Sequence, residues 1–321
     1  MSVRSIPKAF IWRRLHSLTG LWLVLFLMEH LLVNSQAALL LGDNAKGFIE
    51  MVNSIHNLPY LEMMEIFLLG VPILLHGIWG VRVLFQAKFN GMVKENGRNR
   101  AFTWQRLTSW ILLIGIVLHV AKFRFIDYPD SLNQGDKSSY FVTVSIDQGL
   151  YTVASRLGVE LYGSDQIEEE KKDLEKRQGE QALVAVSKTL PATEDFNVQQ
   201  QMILTSAQTY RQKIDWIKML EKQKLEANEV VAVAKDFGTA SLLTVRDTFK
   251  NPIYAVLYTI FVLAACFHGF NGLWTFCITW GVIIKVAAQQ RVLRWAWGVM
   301  ALVAFLGLAS IWGTYWLNLK V

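Results

Sequence analysis

Six histidines occur in the 321 residues: His16, His30, His56, His76, His119 and His268. Four of them, His30, His76, His119 and His268, stand inside long apolar stretches, one in each of four stretches. A neutral imidazole is a good ligand for iron, copper or zinc. An ionisable side chain at membrane depth costs free energy and usually serves a function. A single histidine so placed is as readily a hydrogen-bonded core residue as a ligand. Four in separate stretches point to ligation.

Sequence offsets convert to depths through the rise of a helix, about 1.5 Å per residue. His30 lies 13 residues beyond Ser17 and His119 lies 15 beyond Trp104. Both therefore sit about 20 Å from the face where those residues enter. His76 lies 17 residues beyond Pro59 and His268 lies 16 beyond Pro252. These two sit about 25 Å from the opposite face. In a hydrocarbon core about 30 Å thick the four histidines form two level pairs, His30 with His119 and His76 with His268. Two bis-histidine haems stacked along the membrane normal need such pairs, and helix bundles hold cofactors between facing side chains. Copper or zinc fits less well: the levels are too far apart for one metal, and no carboxylate or thiolate accompanies the histidines. His76 opens HGIWG and His268 opens HGFNG, both H-G-x-x-G. Glycines there let a flat ring or a neighbouring helix approach the backbone, so plain helix packing is the competing reading. His16, in WRRLHS, and His56, between the first two stretches, read as interfacial residues, with haem-propionate or quinone contact as the functional alternative.

The elements that must position these residues are membrane helices. The chain is 53% hydrophobic and only 18% charged, against about 25% charged in ordinary soluble domains. Five apolar segments reach the length needed to span a bilayer: Ser17–Leu41, Pro59–Phe85, Thr103–Phe123, Pro252–Val286 and Val292–Leu317. They are rich in Leu, Ile, Val and Phe, and a lipid-exposed backbone must satisfy its own hydrogen bonds, so helices are expected. Trp12, Trp104, Trp280, Trp295, Trp312 and Trp316 lie near segment ends, as interfacial belts require. The fold class expected is an all-α integral membrane protein. Its five-helix bundle comprises residues 1–123 and 251–321, with a soluble insertion, 124–250, between the third and fourth helices. Cys266 and Cys277 form no CxxC pair and define no disulfide framework.

Charge orients the bundle. The insertion holds 16 Lys/Arg and 20 Asp/Glu, and the rest of the chain 16 and 6. The basic excess therefore flanks membrane segments and is no nucleic-acid footprint. Three regions that alternate onto one side hold 13 of these cations, among them Arg4, Arg13, Arg14, Arg98, Arg100, Arg106, Arg291 and Arg294. The positive-inside rule makes that side cytoplasmic, with the N-terminus inside and the C-terminus and residues 124–250 outside. In the insertion, Tyr140–Ser145 alternates like a strand, Ile167–Ala182 is charge-dense like an exposed helix, and Val198–Lys235 reads as longer helix. An α+β or mostly helical domain is expected, without histidine and without a zinc, phosphate-loop or triad motif.

Three runs carry a family resemblance: WRRLHSLTGLWLVLFLMEHLLVN (12–34), LPYLEMMEIFLLGVPILLHGIWGV (58–81) and WQRLTSWILLIGIVLHV (104–120). They resemble the first three helices of the dihaem cytochrome b membrane anchor of succinate dehydrogenase and fumarate reductase, the single five-helix class of succinate:quinone oxidoreductases. The insertion lies outside the resemblance, since such anchors have a short connection there. The resemblance implies His30 and His119 as ligands of a distal haem b, and His76 and His268 as ligands of a proximal one. It also implies a flavoprotein subunit carrying FAD and an iron–sulfur subunit on the cytoplasmic face of a bacterial inner membrane. Electrons would pass from the iron–sulfur subunit to a membrane quinone, menaquinone by the resemblance, as a link between the tricarboxylic acid cycle and the respiratory chain. Oligomers of the whole complex are compatible with this. The chain lacks a dinucleotide fingerprint and an iron–sulfur cysteine cluster, so succinate chemistry belongs to the partners.

Further polar residues fit that frame. Glu65, 11 residues before His76, falls near the distal level and suits a proton carrier for a quinone; a charge at a helix start is the bland alternative. Glu29 could relay protons or pair with Lys122. Haem propionates call for cations or hydroxyls: Arg14, Ser17 and Arg106 near the proximal level, with Lys285 weaker, and Lys122 and Arg124 near the distal one. Topology or snorkelling explains the cations equally well. Two other functions remain open on sequence grounds: the cytochrome b of a hydrogenase or nitrate reductase, and a haem-free membrane scaffold.

Overall fold

The structure, a computed structural model, describes residues 7–38, 44–86, 97–187 and 196–319. It divides into two compact units, residues 1–126 with 248–320, and Asp127–Asp247.

Among the described residues the first unit contains five helices long and apolar enough to cross a membrane: α1 (Lys8–Ser35), α3 (Leu61–Gln86), α4 (Arg100–Ile126), α9 (Pro252–Thr279) and α10 (Val286–Trp316). A short helix, α2 (Lys46–His56), follows α1. Between α4 and α9 come α5 (Gln148–Leu157), α6 (Ser164–Ser187), α7 (Phe196–Lys222) and α8 (Phe237–Thr248). Helix α1 packs on α3, α9 and α10, and α9 also packs on α4 and α10. Cross-contacts fix the directions. Trp12 stacks on Trp79, and Trp22 Nε1 donates to the Leu68 carbonyl at 2.6 Å, so α1 and α3 run antiparallel. Gln105 reaches the His268 carbonyl at 3.1 Å while His119 meets Tyr258, so α4 and α9 do too.

Four helix boundaries differ most from the hydropathy reading. Helix α1 begins at Lys8 rather than Ser17, because Lys8, Arg13 and Arg14 extend along the helix among Phe10 and Trp12 without breaking it. It ends at Ser35. There Asn34 Nδ2 and Ser35 Oγ turn back onto the His30 and Leu32 carbonyls at 2.8 and 2.6 Å, competing with helix continuation. Leu41 lies outside the described residues. Helix α9 stops at Thr279 and α10 begins at Val286, not Val292. Gly281 adopts φ +71° and its N–H closes onto the Ile278 carbonyl at 3.1 Å, a left-handed helix stop that apolar composition conceals. A wider π turn interrupts α3 at Glu65–Gly70 and another ends α4 at Ala121–Ile126, on the sequence flanks of the histidines those helices carry.

The second unit is α+β. Strands β1 (Asp130–Gln134), β2 (Lys137–Ser145), β3 (Glu160–Tyr162) and β4 (Glu229–Ala234) form an antiparallel sheet ordered β1-β2-β4-β3. Helices α5 (Gln148–Leu157) and α8 (Phe237–Thr248) cover one face, with Val142, Val144, Leu150, Ala232 and Leu243 buried between. Helices α6 (Ser164–Ser187) and α7 (Phe196–Lys222) pair beside the other face, over Phe141, Ile167, Leu220, Val231 and Val233. The stretch Val198–Lys235 is thus not one helix. Its EVVAVA segment is strand β4. A central strand buried on both faces shows a continuous apolar run in place of alternation. Ile217 and Leu220 are buried. Asp147 caps α5 through the Gly149 and Leu150 N–H groups and accepts both guanidinium arms of Arg246 at 2.9 and 2.6 Å.

Candidate functional site

The four histidines come together as two facing pairs inside the first unit. The ring centres of His76 (α3) and His268 (α9) lie 6.2 Å apart at 75°. Those of His30 (α1) and His119 (α4) lie 5.8 Å apart at 85°. His16, beside the first pair, is 14 residues before His30 on one helix, so the levels are separated by about 20 Å.

Hydrogen bonding sets the tautomers. His76 Nδ1 is 3.0 Å from the His16 carbonyl oxygen. A carbonyl only accepts, so Nδ1 carries the proton and Nε2 is left with its lone pair. His268 Nδ1 lies 3.5 Å from the hydroxyls of Thr108 and Ser109. Those hydroxyls already donate to the Trp104 and Gln105 carbonyls at 2.8 and 2.7 Å, so towards His268 they offer only lone pairs. Gln105 in turn holds the His268 carbonyl and accepts from Asn271 at 2.7 Å. In the second pair, His119 Nδ1 meets the Tyr258 hydroxyl at 3.3 Å, and His30 packs against Phe26.

The donor set suits a metal that arrives with its equatorial ligands in place. Two imidazoles on opposite sides of one metal have ring centres about 6 Å apart, from two bonds of about 2 Å and about 1 Å from each nitrogen to its ring centre. Both pairs meet that spacing. Among the described residues no three His, Cys, Asp or Glu side chains converge on a metal position. A bare zinc or copper ion needs three or four protein ligands, whereas haem iron needs two.

The other expected residues fall in two places. At the end of α9, Arg14 Nη1 donates to the Thr279 carbonyl at 2.6 Å and lies over the Trp280 ring, while Ser17 Oγ accepts from Trp280 Nε1 at 3.3 Å. Arg106 donates to the Leu84 carbonyl near the end of α3. These contacts stabilise helix C-termini, where unpaired carbonyls favour cations. At the opposite end, Glu65 pairs with Arg124 at 3.2 Å, joining the π turns of α3 and α4. Lys122 sits over the Tyr254 and Phe123 rings. Glu29 is on α1 beside His30. His56 ends α2, with the Glu65 and Arg124 charges acting on it.

One feature escaped sequence reasoning. His16 is no mere boundary residue: its ring stacks on His76 with centres 3.9 Å apart and planes 19° apart. H-x-x-x-G occurs at His16–Gly20, His76–Gly80 and His268–Gly272, so the motif alone does not single out this contact. The HGFNG glycine Gly269 serves helix packing, with α1 residues Val24 and Leu27 against it.

Two pairs of facing histidines thus stand inside a bundle of helices long and apolar enough to cross a membrane. Among curated proteins, the chain is similar to the succinate dehydrogenase cytochrome b558 subunit of Bacillus subtilis (strain 168), 37% identical over 118 residues. That match covers 36% of this chain and spans 56% of the relative's length. No family model and no solved structure matches.

Proposed function

We propose that this chain is the dihaem membrane anchor of a succinate:quinone oxidoreductase, linking an iron–sulfur subunit to a membrane quinone. The observation that carries this reading is the two facing histidine pairs about 20 Å apart along a bundle similar to a succinate dehydrogenase cytochrome b. His76 and His268 would hold one haem b, and His30 and His119 the other, each through Nε2. When bound, haem supplies one-electron chemistry, and the chain supplies ligation, orientation and dielectric. Arg14, Ser17 and Arg106 stand at the end of the bundle that would receive the iron–sulfur and FAD-containing subunits, and are the propionate partners proposed for the first pair. Lys122 is proposed for the second.

The orientation follows the cation bias, with the N-terminus in the bacterial cytoplasm and the Asp127–Asp247 unit outside. A quinone, menaquinone in this reading, takes up or releases protons as its redox state changes. Glu65 and Glu29 are proposed to handle them, and the Glu65–Arg124 pair holds the Glu65 carboxylate at the outer end of the bundle.

Purification of the native complex tests the assignment. The reading expects a flavoprotein and an iron–sulfur subunit to copurify with the chain and succinate:quinone activity to follow them. Hydrogenase or nitrate reductase subunits in their place would contradict it.

A further inference from the structure

Helices α1 and α3 are locked by a local two-fold arrangement that no known role of the chain absorbs. On each helix a histidine is followed four residues later by glycine: His16 and Gly20, His76 and Gly80. His16 Nδ1 donates to the His76 carbonyl at 3.1 Å, and His76 Nδ1 donates to the His16 carbonyl at 3.0 Å. The two rings stack between these bonds, 3.9 Å apart. Each ring faces the other helix's glycine. A Cβ at Gly20 would stand 2.8 Å from His76 Cε1, a clash, whereas one at Gly80 would stand 3.6 Å from His16 Cε1, an ordinary contact. The lock is therefore symmetric in hydrogen bonding and asymmetric in space: the tight side is the His76 side.

We propose that His16 is a positioning residue for His76. Its ring plane and its bond to the His76 carbonyl fix the azimuth of the His76 ring, so that Nε2 faces His268, with Gly20 providing the clearance. The partner that orients a ligating histidine is worth roughly ten- to a hundred-fold in metal affinity. The bond from His76 Nδ1 goes to the backbone of His16 and survives any substitution there. The side-chain contribution of His16 is thus the stack and the carbonyl anchor. This inference rests on the bis-histidine reading of the His76–His268 pair.

The test uses the full chain in its native complex, with each haem read by its low-spin electron paramagnetic resonance signal, its midpoint potential and its rate of loss to apomyoglobin. His76→Met first assigns which signal belongs to the His76 pair; the other serves as an internal control of folding. His16→Ala is expected to shift the His76 signal and potential and to speed loss of that haem roughly ten-fold or more, with the other haem unmoved. His16→Phe, which restores a ring plane, is expected to recover part of the effect. Gly20→Ala should reproduce the His16→Ala shift, and Gly80→Ala should match the unsubstituted chain. His16→Ala without change at the His76 haem overturns the inference, and so does an equal effect on both haems, the mark of a merely structural residue. Absence of haem from the unsubstituted chain overturns the bis-histidine reading itself, and this inference with it.

Discussion

An imidazole that donates its Nδ1 proton to an oxygen presents a bare Nε2, and what holds Nδ1 differs between the two levels. His76 is held by a backbone carbonyl, His268 by two hydroxyls and His119 by the Tyr258 hydroxyl. Tyr258→Phe removes the hydroxyl that meets His119 Nδ1 while keeping the aromatic packing. The expected outcome is a shift in the potential of the His30–His119 haem with the other unchanged; equal shifts in both would contradict the assignment. His56 offers a pH-dependent readout outside the membrane spans. Burial is the main cause lowering its pKa; the Arg124 charge lowers it further and Glu65 opposes. A histidine with a lowered folded-state value binds more protons when unfolded. Its contribution is fully present above the unfolded value, about 6.5, and is lost as pH falls from there towards the folded value. Hydrogen exchange of α2 should therefore show protection falling below about pH 6.5, and His56→Gln should flatten that slope. An unchanged slope in the variant would count against it.

At the scale of elements, close helix approach transmits to the sites. Gly115 lies one turn before His119, and a Cβ there would collide with the Phe261 ring of α9, which packs on His119 with centres 5.9 Å apart. Gly115→Ala should cost about 1–3 kcal/mol through overpacking and lower haem occupancy at the His30–His119 pair, measured as haem per chain. Full occupancy there would show that α4 and α9 can separate without cost to the site. In the second unit, Arg246→Met leaves the Asp147 carboxylate without its guanidinium and should destabilise that unit by about 3 kcal/mol, seen in its denaturant midpoint. The spanning helices were legible because a bilayer demands long apolar runs and histidine stands out within them. Their ends were less so. Lys8 and Arg14 read as the outside of a helix that in fact continues through them, and the stop at Gly281 depends on one backbone angle. Strand β4 was hidden because burial on both faces erases alternation. The pairing of histidines could be approached through depth arithmetic, but the stacking of His16 on His76 could not, since it depends on which faces of α1 and α3 meet.

For the whole molecule, the sheet unit carries its own core on both sides of β4, and the bundle carries its own along α1 and α9. Replacing Asp127–Asp247 by a short flexible linker should leave the haem spectrum of the bundle intact. Labelling of cysteines introduced in this unit by an impermeant reagent added outside intact cells tests its location. Protection there and labelling only after lysis would invert the proposed orientation. The most direct measurement is a dithionite-reduced minus oxidised spectrum of the purified chain with extracted haem b counted per polypeptide. Two haems per chain are expected, falling to one in His30→Leu and to one in His76→Leu. A folded, haem-supplied chain that contains none would contradict it.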